Sequence, residues 1–368
     1  MQIRELSLTN YRNIKRLQMA PHPEVNIIFG DNAQGKTNLI EAIWLFCGAK
    51  SFRGAKEQSL IAFEEKSAFL ELDFFAEGRQ QNATMRLGEK KEVKLNGVPK
   101  KTSSALAGHF SAVVFSPTHL SLIKDGPNLR RNFLDLAISQ LTPQYIPLMV
   151  RYQKVLGQRN ILLKDAGFHA ELLDTLEVWD QSFARVGTAI TKFRYQYVEL
   201  LKAKARAIYS GISGGKESLE IFYHSSIFGM VENEEQIEEG FFLQKVREAS
   251  REDLRAGFST VGPHRDELEF ILSGRDLKLY GSQGQHRSAV LALKLAEAAI
   301  AEERLGEKPV ILLDDVFSEL DSKRQNFILN HIEGFQLFLT CCDTQFLSQM
   351  GNGSAFIMRE GVLSPFEA

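Results

Sequence analysis

Gly30-Asp31-Asn32-Ala33-Gln34-Gly35-Lys36-Thr37-Asn38 fits G-x-x-x-x-G-K-[ST] without a gap. Before it, Val25-Asn26-Ile27-Ile28-Phe29 reads as a short, mostly apolar strand. After it, Asn38 to Phe46 spaces its large apolar residues as a helix does. Strand, glycine loop and helix are the setting in which this pattern holds a nucleoside triphosphate. Gly30 and Gly35 let the backbone turn with its N–H groups inward, and the free amides of the following helix add partial positive charge, so main chain does most of the holding. Lys36 is expected to reach the β and γ phosphates, and the Thr37 hydroxyl to ligate Mg²⁺.

Working outward, the apolar run Val310-Ile311-Leu312-Leu313 ends in Asp314-Asp315, as a buried parallel strand does when it delivers carboxylates to the carboxyl edge of a sheet. The phosphate loop sits at that edge too. Asp314 is expected to hold Mg²⁺, directly or through water, and Asp315 to orient or deprotonate the attacking water. Between the two halves, Gly281-Ser282-Gln283-Gly284-Gln285 runs into a strong helix from Ala289. Serine and glycine at a helix start make a second anion pocket. Two phosphate-binding helix starts in one chain suggest a nucleotide face completed by another subunit.

The 368 residues and 44% hydrophobic content support a real core, with room for two domains or one domain with a large insertion. The amino terminus carries charge where a signal peptide needs an apolar region, and no apolar run approaches membrane-spanning length. Secretion and membrane insertion are therefore not expected. The three cysteines, Cys47, Cys341 and Cys342, suggest neither a disulfide framework nor a zinc site, and read as reduced thiols in a cytosol. A net charge of -2 gives no global polyanion-binding field, so any nucleic-acid contact must come from local patches.

Residues 2 to 8 and 14 to 19 read as strands around Thr9-Asn10-Tyr11-Arg12-Asn13, and residues 68 to 99 as an antiparallel meander punctuated by Glu77-Gly78, Gly88 and Asn96-Gly97. Lys50, Arg53 and Lys56 form a small basic surface near the nucleotide. From Asn128 to about Ser210 the chain reads as successive helices broken near Thr142-Pro143, Asp165-Ala166-Gly167 and Leu173. Within them Arg185, Lys192, Arg194, Lys202, Lys204 and Arg206 interleave with Phe193, Tyr195 and Tyr197. This is either a phosphate-backbone surface or a solvated helix face with core aromatics. The acidic run Glu232, Glu234, Glu235, Glu238 and Glu239 reads as an exposed helix face. His264 and Arg265, in a turn before the strand Leu268–Leu272, could face a phosphate, although a loop histidine is more often structural.

Taken together, Gly30 to Thr37, Ser282 to Gln285, Leu313-Asp314-Asp315 and Ser318-Glu319-Leu320-Asp321 resemble the motifs of ABC-type ATPases. With Leu8 to Asn13, the extension to Ala42, and Gly262-Pro263-His264-Arg265-Asp266, the match is closest to the RecF family of DNA replication and repair proteins. The resemblance covers essentially the whole chain. It implies an α/β ABC-type head, related to SMC and Rad50 heads, with a parallel core sheet, an antiparallel β meander and an inserted mainly helical lobe. Residues 1–116 and 300–368 would form the first lobe and 117–299 the second. It further implies nucleotide contacts from Arg12, from every residue of Gly30 to Asn38, and from Ser282, Gly284 and Gln285. Lys36, Asp314 and Asp315 would be catalytic, and Thr37 and Asp314 the Mg²⁺ ligands. ATP would close a homodimer in which Ser282 and Gly284 of one subunit meet the γ-phosphate held by Lys36 of the other, and slow, DNA-gated hydrolysis would open it. The implied partners are double-stranded DNA at gaps and single-strand junctions, RecR with RecO, and indirectly RecA. The implied setting is bacterial, cytoplasmic and nucleoid-associated.

Departures from the wider ABC pattern concern the chemistry. Asp315 stands where glutamate is usual, Cys341 where a histidine switch is usual, and no clear glutamine marks the lobe-connecting loop near Phe115 to Thr118; Thr118 also takes a place that is often acidic in RecF relatives. The interval between the two nucleotide motifs is too short for the long coiled coil of SMC proteins. The competing reading is a cytosolic ATPase subunit of a membrane transporter, with no DNA contact.

Overall fold

A computed structural model describes residues 1–166, 173–342 and 352–366. The chain opens with β1 (Gln2–Tyr11), β2 (Ile14–Met19), β3 (Val25–Phe29), α1 (Lys36–Leu45), β4 (Ala68–Ala76), β5 (Arg79–Leu87), β6 (Glu92–Leu95), β7 (Val98–Lys100) and β8 (Ala112–Phe115). There follow α2 (Ser121–Lys124), α3 (Pro127–Leu141), α4 (Tyr145–Ala166), α5 (Leu173–Ser213), β9 (Leu219–Ser225), β10 (Gly229–Met230), α6 (Glu239–Ala256), β11 (Glu267–Leu272), β12 (Arg275–Asp276) and α7 (Leu277–Tyr280). The last part holds α8 (Gln283–Leu305), β13 (Val310–Asp314), α9 (Ser322–His331), β14 (Leu337–Cys341), β15 (Gly353–Arg359) and β16 (Val362–Pro365).

Two compact units result: residues 1–120 with 287–368, and residues 121–286. The boundary read from sequence at 299/300 thus differs from the structural one. From Arg287 onward, α8 is apolar on most sides, with Ala289 to Leu293 buried, and it lies with the first unit.

The first unit has two sheets. One follows the order β2-β1-β4-β5-β6-β7, every pairing antiparallel. Its strands alternate buried and open positions, as in β4, and its hairpins turn at Glu77-Gly78 and Asn96-Gly97, all at positive φ, which suits tight hairpin turns. The other sheet has the order β16-β15-β3-β14-β13-β8. Here β8, β13, β14, β3 and β15 run parallel, and β16 closes one edge antiparallel. Strands β8, β13 and β14 are buried along their whole length, the signature of a sheet covered on both faces. Register pairs Leu313 with Phe115, Asp314 with Thr340 and Cys341 with Phe29. One carboxyl edge therefore gathers the ends of β3, β8, β13 and β14.

The second unit combines helices with a sheet of order β10-β9-β11-β12. α3 ends at Leu141, with Thr142 as its C-cap before Pro143, where the sequence placed a break. The breaks expected near Gly167 and Leu173 bracket residues 167–172, which lie outside the described residues. Buried Arg159 ties α4 to α5 through Asp180 (2.7 Å) and to α6 through Asp253 (2.6 Å). The acidic run is corrected: the Asn233 side chain caps a one-turn 3₁₀ segment at Glu234–Gln236, and Glu238 stands at the N-cap position of α6 without a side-chain capping bond. Glu232, Glu234, Glu235 and Glu238 precede the helix and only Glu239 lies in its first turn, so the run does not line one helix face.

Candidate functional site

The loop from Gly30 to Gly35 is shaped by close neighbours. Gly30 sits at φ 151°, and a Cβ there would lie 2.4 Å from the Met358 carbonyl oxygen, so only glycine fits. Gly35, at φ 114°, would place a Cβ 2.7 Å from Asn13 Oδ1. α1 then starts at Lys36 with no side-chain cap and no acid in its first turn, which leaves its leading N–H groups for an anion. Lys36 is folded back over the loop, its Nζ donating to Gly30 O (2.5 Å) and Asp31 O (2.9 Å). A phosphate entering the loop would replace those carbonyls with charge-assisted partners.

Thr37 Oγ1 donates to Asp314 Oδ1 at 2.8 Å, joining two motifs that lie 277 residues apart in sequence. Thr340, at the end of β14, donates to the same oxygen at 2.9 Å and accepts the Asp315 N–H at 3.0 Å. Thr340 was not singled out from sequence; its one signal is its place at the end of an apolar strand. Burial pushes the Asp314 carboxyl above the ordinary carboxylate range, with the Thr37 and Thr340 hydroxyls opposing that rise. A hydroxyl and a carboxylate converging at this edge are hard oxygen donors of the kind Mg²⁺ takes. Asp315 adopts φ 53°, a left-handed conformation that Asp tolerates better than most residues. Its carbonyl and Oδ1 both receive the Ser318 hydroxyl, at 3.0 and 3.3 Å.

The raised Asp314 value fixes the sign of a stability effect. The folded chain binds this proton more tightly than the unfolded one, whose carboxyl titrates near ~3.9. Stability is therefore lost as pH rises from there through the folded value, so above that range the carboxyl costs stability. Asp314→Asn keeps an oxygen for both threonines and removes the charge. Its melting temperature without divalent metal is expected to rise by roughly 1–3 °C, measured by scanning fluorimetry in EDTA. A fall would refute the assignment.

Several loop residues are clamped by parts the sequence did not connect. Asn13 Nδ2 donates to Gln34 O (3.0 Å), and Asn38 Nδ2 donates to Asn13 Oδ1 (2.8 Å). The β15–β16 turn donates from Gly361 N to Gln34 O (2.9 Å) and from Glu360 N to Gln34 Oε1 (2.6 Å). Arg12, expected at the nucleotide, has its guanidinium on Glu41, with Nε at 2.9 Å. Cys341 is buried in β14; it is Cys342 whose Sγ lies 3.5 Å from Lys36 Nζ and 3.2 Å from Asn32 Oδ1. Cys341 is the last residue of the buried strand, and Cys342, just past its end, is exposed beside the loop.

In the second unit, Ser282 opens α8 as a reciprocal cap. Gln285 N donates to Ser282 Oγ (3.2 Å), and Ser282 N donates to Gln285 Oε1 (2.8 Å), a capping box. Gln285 Nε2 also reaches Glu217 Oε1 at 2.6 Å. The Ser282 hydroxyl accepts from the helix and keeps its own proton to donate. Ser282 and Gln283 are exposed at this helix start, with Gly284 half-buried beside them.

The basic stretch of α5 divides. Arg194 is buried, with Nε on Asp135 Oδ1 (2.9 Å) and Nη1 on Pro263 O (2.6 Å), so it leaves the candidate phosphate surface. Lys202 pairs with Glu199 at 3.3 Å and lies over Phe222, whereas Arg185 and Arg206 are exposed. His264 is a structural histidine, with Nδ1 2.7 Å from Tyr152 Oη and Nε2 3.0 Å from Ser259 O. Burial lowers its pKa to about 4, so it stays neutral at physiological pH.

The family model described as RecF/RecN/SMC N terminal domain matches residues 2–364. The chain is 41% identical over 343 residues to the DNA replication and repair protein RecF of Lachnoclostridium phytofermentans, covering 93% of this chain and 92% of the relative. It is 39% identical over 364 residues to the RecF protein of Acetivibrio thermocellus, covering 98% of each. A solved structure described as the recombination mediator protein RecF-ATP in the RecFOR pathway superposes with TM-score 0.92 at 36% identity, over 100% of this chain and 98% of that one. An Smc head domain of Pyrococcus furiosus is similar in fold, with TM-score 0.56 at 17% identity over 99% and 96% of the chains.

Proposed function

Because the chain belongs to the RecF family of DNA replication and repair proteins, within the RecF/RecN/SMC N-terminal-domain group, we propose that it is an ATP-dependent DNA-binding recombination mediator. The hydrogen bond between Thr37 and Asp314 carries this reading, since it brings the phosphate-loop helix and the acidic strand end together at one sheet edge.

In this reading the amides of Gly30 to Asn38 hold the polyphosphate, and Lys36 turns from Gly30 O and Asp31 O to the β and γ phosphates. Thr37 and Asp314 hold Mg²⁺, which supplies neutralising charge to the phosphates when bound. Asp315 orients the attacking water, and with a side chain one methylene shorter than glutamate it does so loosely, in keeping with slow hydrolysis. Ser282 and Gly284 of a second copy cover the γ-phosphate, so that ATP closes a homodimer on duplex DNA at gaps or single-strand junctions. RecR with RecO would join it there to help load RecA. The reading as a transporter subunit is not favoured by relatives named for DNA replication and repair over nearly the whole chain. Among the described residues no helix is long and apolar enough to cross a membrane.

Fluorescence anisotropy of labelled duplex and gapped DNA, with and without MgATP across a salt series, tests the proposal. Binding is expected to need ATP and to weaken with salt by a slope of about 0.9 per phosphate contact. No ATP-dependent binding at low salt would overturn it.

A further inference from the structure

Glu41, five residues past Lys36 on α1, has no exposed surface, although an isolated buried carboxylate is strongly disfavoured. Its charge is fully engaged. Oε2 accepts from Arg12 Nε (2.9 Å) and Tyr11 Oη (3.1 Å), while Oε1 accepts from Arg12 Nη2 (3.0 Å) and from the Ser51 hydroxyl. That fills the roughly four acceptor positions a carboxylate offers.

The segments held this way lead onto the phosphate loop. Arg12 is followed by Asn13, which binds Gln34 O and Asn38 as described above. Ser51 Oγ accepts the N–H groups of Arg53 and Ala55, each at 3.2 Å, and Arg53 Nη1 donates to Asn38 Oδ1 at 3.0 Å. A closed polar ring thus runs from Glu41 through Arg12, Asn13, Asn38, Arg53 and Ser51 back to Glu41. Arg12 itself is held at φ 55°, a conformation that persists in a non-glycine residue only where its surroundings impose it.

We infer that Glu41 is a positioning residue for nucleotide. From inside α1 it fixes the Arg12-Asn13 turn and the Ser51 to Arg53 loop, so that both flank the phosphate loop before ATP arrives, and preorganisation of this kind appears as affinity. The inference rests on the ATP reading above.

Glu41→Gln in the full chain tests it. Both carboxylate oxygens receive an Arg12 N–H, so either orientation of the amide sets a donor against a donor. MgATP affinity by calorimetry, below the melting range of both proteins, is expected to fall about tenfold. The turnover rate at saturating ATP should change far less, because Asp314 and Asp315 lie outside the ring. Ser51→Ala, which breaks the other limb and leaves the Arg12 pair, should lose about threefold. A lower melting temperature with unchanged ATP affinity would make Glu41 a purely structural residue and overturn the inference. If Glu41→Gln does not fold, Ser51→Ala decides, and wild-type affinity in that variant overturns it. Wild-type protein that binds no MgATP would instead sink the ATP reading itself.

Discussion

Lys36→Met is expected to weaken MgATP binding at least a hundredfold while leaving the chain folded. In the structure the ammonium holds the loop closed through Gly30 O and Asp31 O, and with nucleotide present it would be the cation nearest the β and γ phosphates. Charge-assisted hydrogen bonds contribute about 1.5–3 kcal/mol each, so losing two of them at the phosphates reaches about a hundredfold at 1.4 kcal/mol per decade. Methionine fills the same half-apolar volume without charge. The apoprotein loses two hydrogen bonds to loop carbonyls that water can replace, a cost on the order of 1 kcal/mol. Calorimetry reads the affinity and thermal melting the fold. Unchanged ATP affinity would refute the assignment of the loop.

Ser282→Arg is expected to abolish ATP-driven dimerisation and to leave ATP binding by the monomer within about twofold of wild type. The two effects separate because Ser282 and Lys36 fall in different compact units, and in the proposal the serine serves the nucleotide of the other subunit. The structure adds a control. Ser282 is also one half of the cap on α8, and losing it costs about 1 kcal/mol. α8 is 23 residues long and largely buried beyond its first turn, so that loss does not unfold it. Ser282→Ala loses the same cap without adding bulk or charge, and should weaken the dimer without abolishing it. Light scattering with MgATP gives the answer. A dimer still formed by Ser282→Arg would overturn the intersubunit geometry.

Where the chain's own neighbours set the structure, the sequence was a good guide. Glycine spacing before an apolar helix gives the phosphate loop, Asp314 follows from an apolar run too short to be a helix, and Glu77-Gly78 and Asn96-Gly97 mark hairpins. Where burial is decided by distant elements, it misled. Arg194 looked like part of a basic surface, yet it lies on the face of α5 where Asp135 and Pro263 meet it. The acidic run looked like one exposed helix face, but Asn233 caps a separate 3₁₀ turn before α6 begins at Glu239, as short polar side chains do near helix starts.

What the sequence determined by itself is the anion cradle: a main-chain device whose N–H groups are aimed by local backbone, so nine consecutive residues suffice to specify it. Which side chains close on that cradle was decided only by tertiary structure. Parallel pairing of β14 beside β3 and β13 brings Thr340 to Asp314 and Cys342 to Lys36, and β15–β16 brings the Glu360-Gly361 turn to Gln34. Partners hundreds of residues away are chosen by strand order and register, and no local pattern in the chain encodes those.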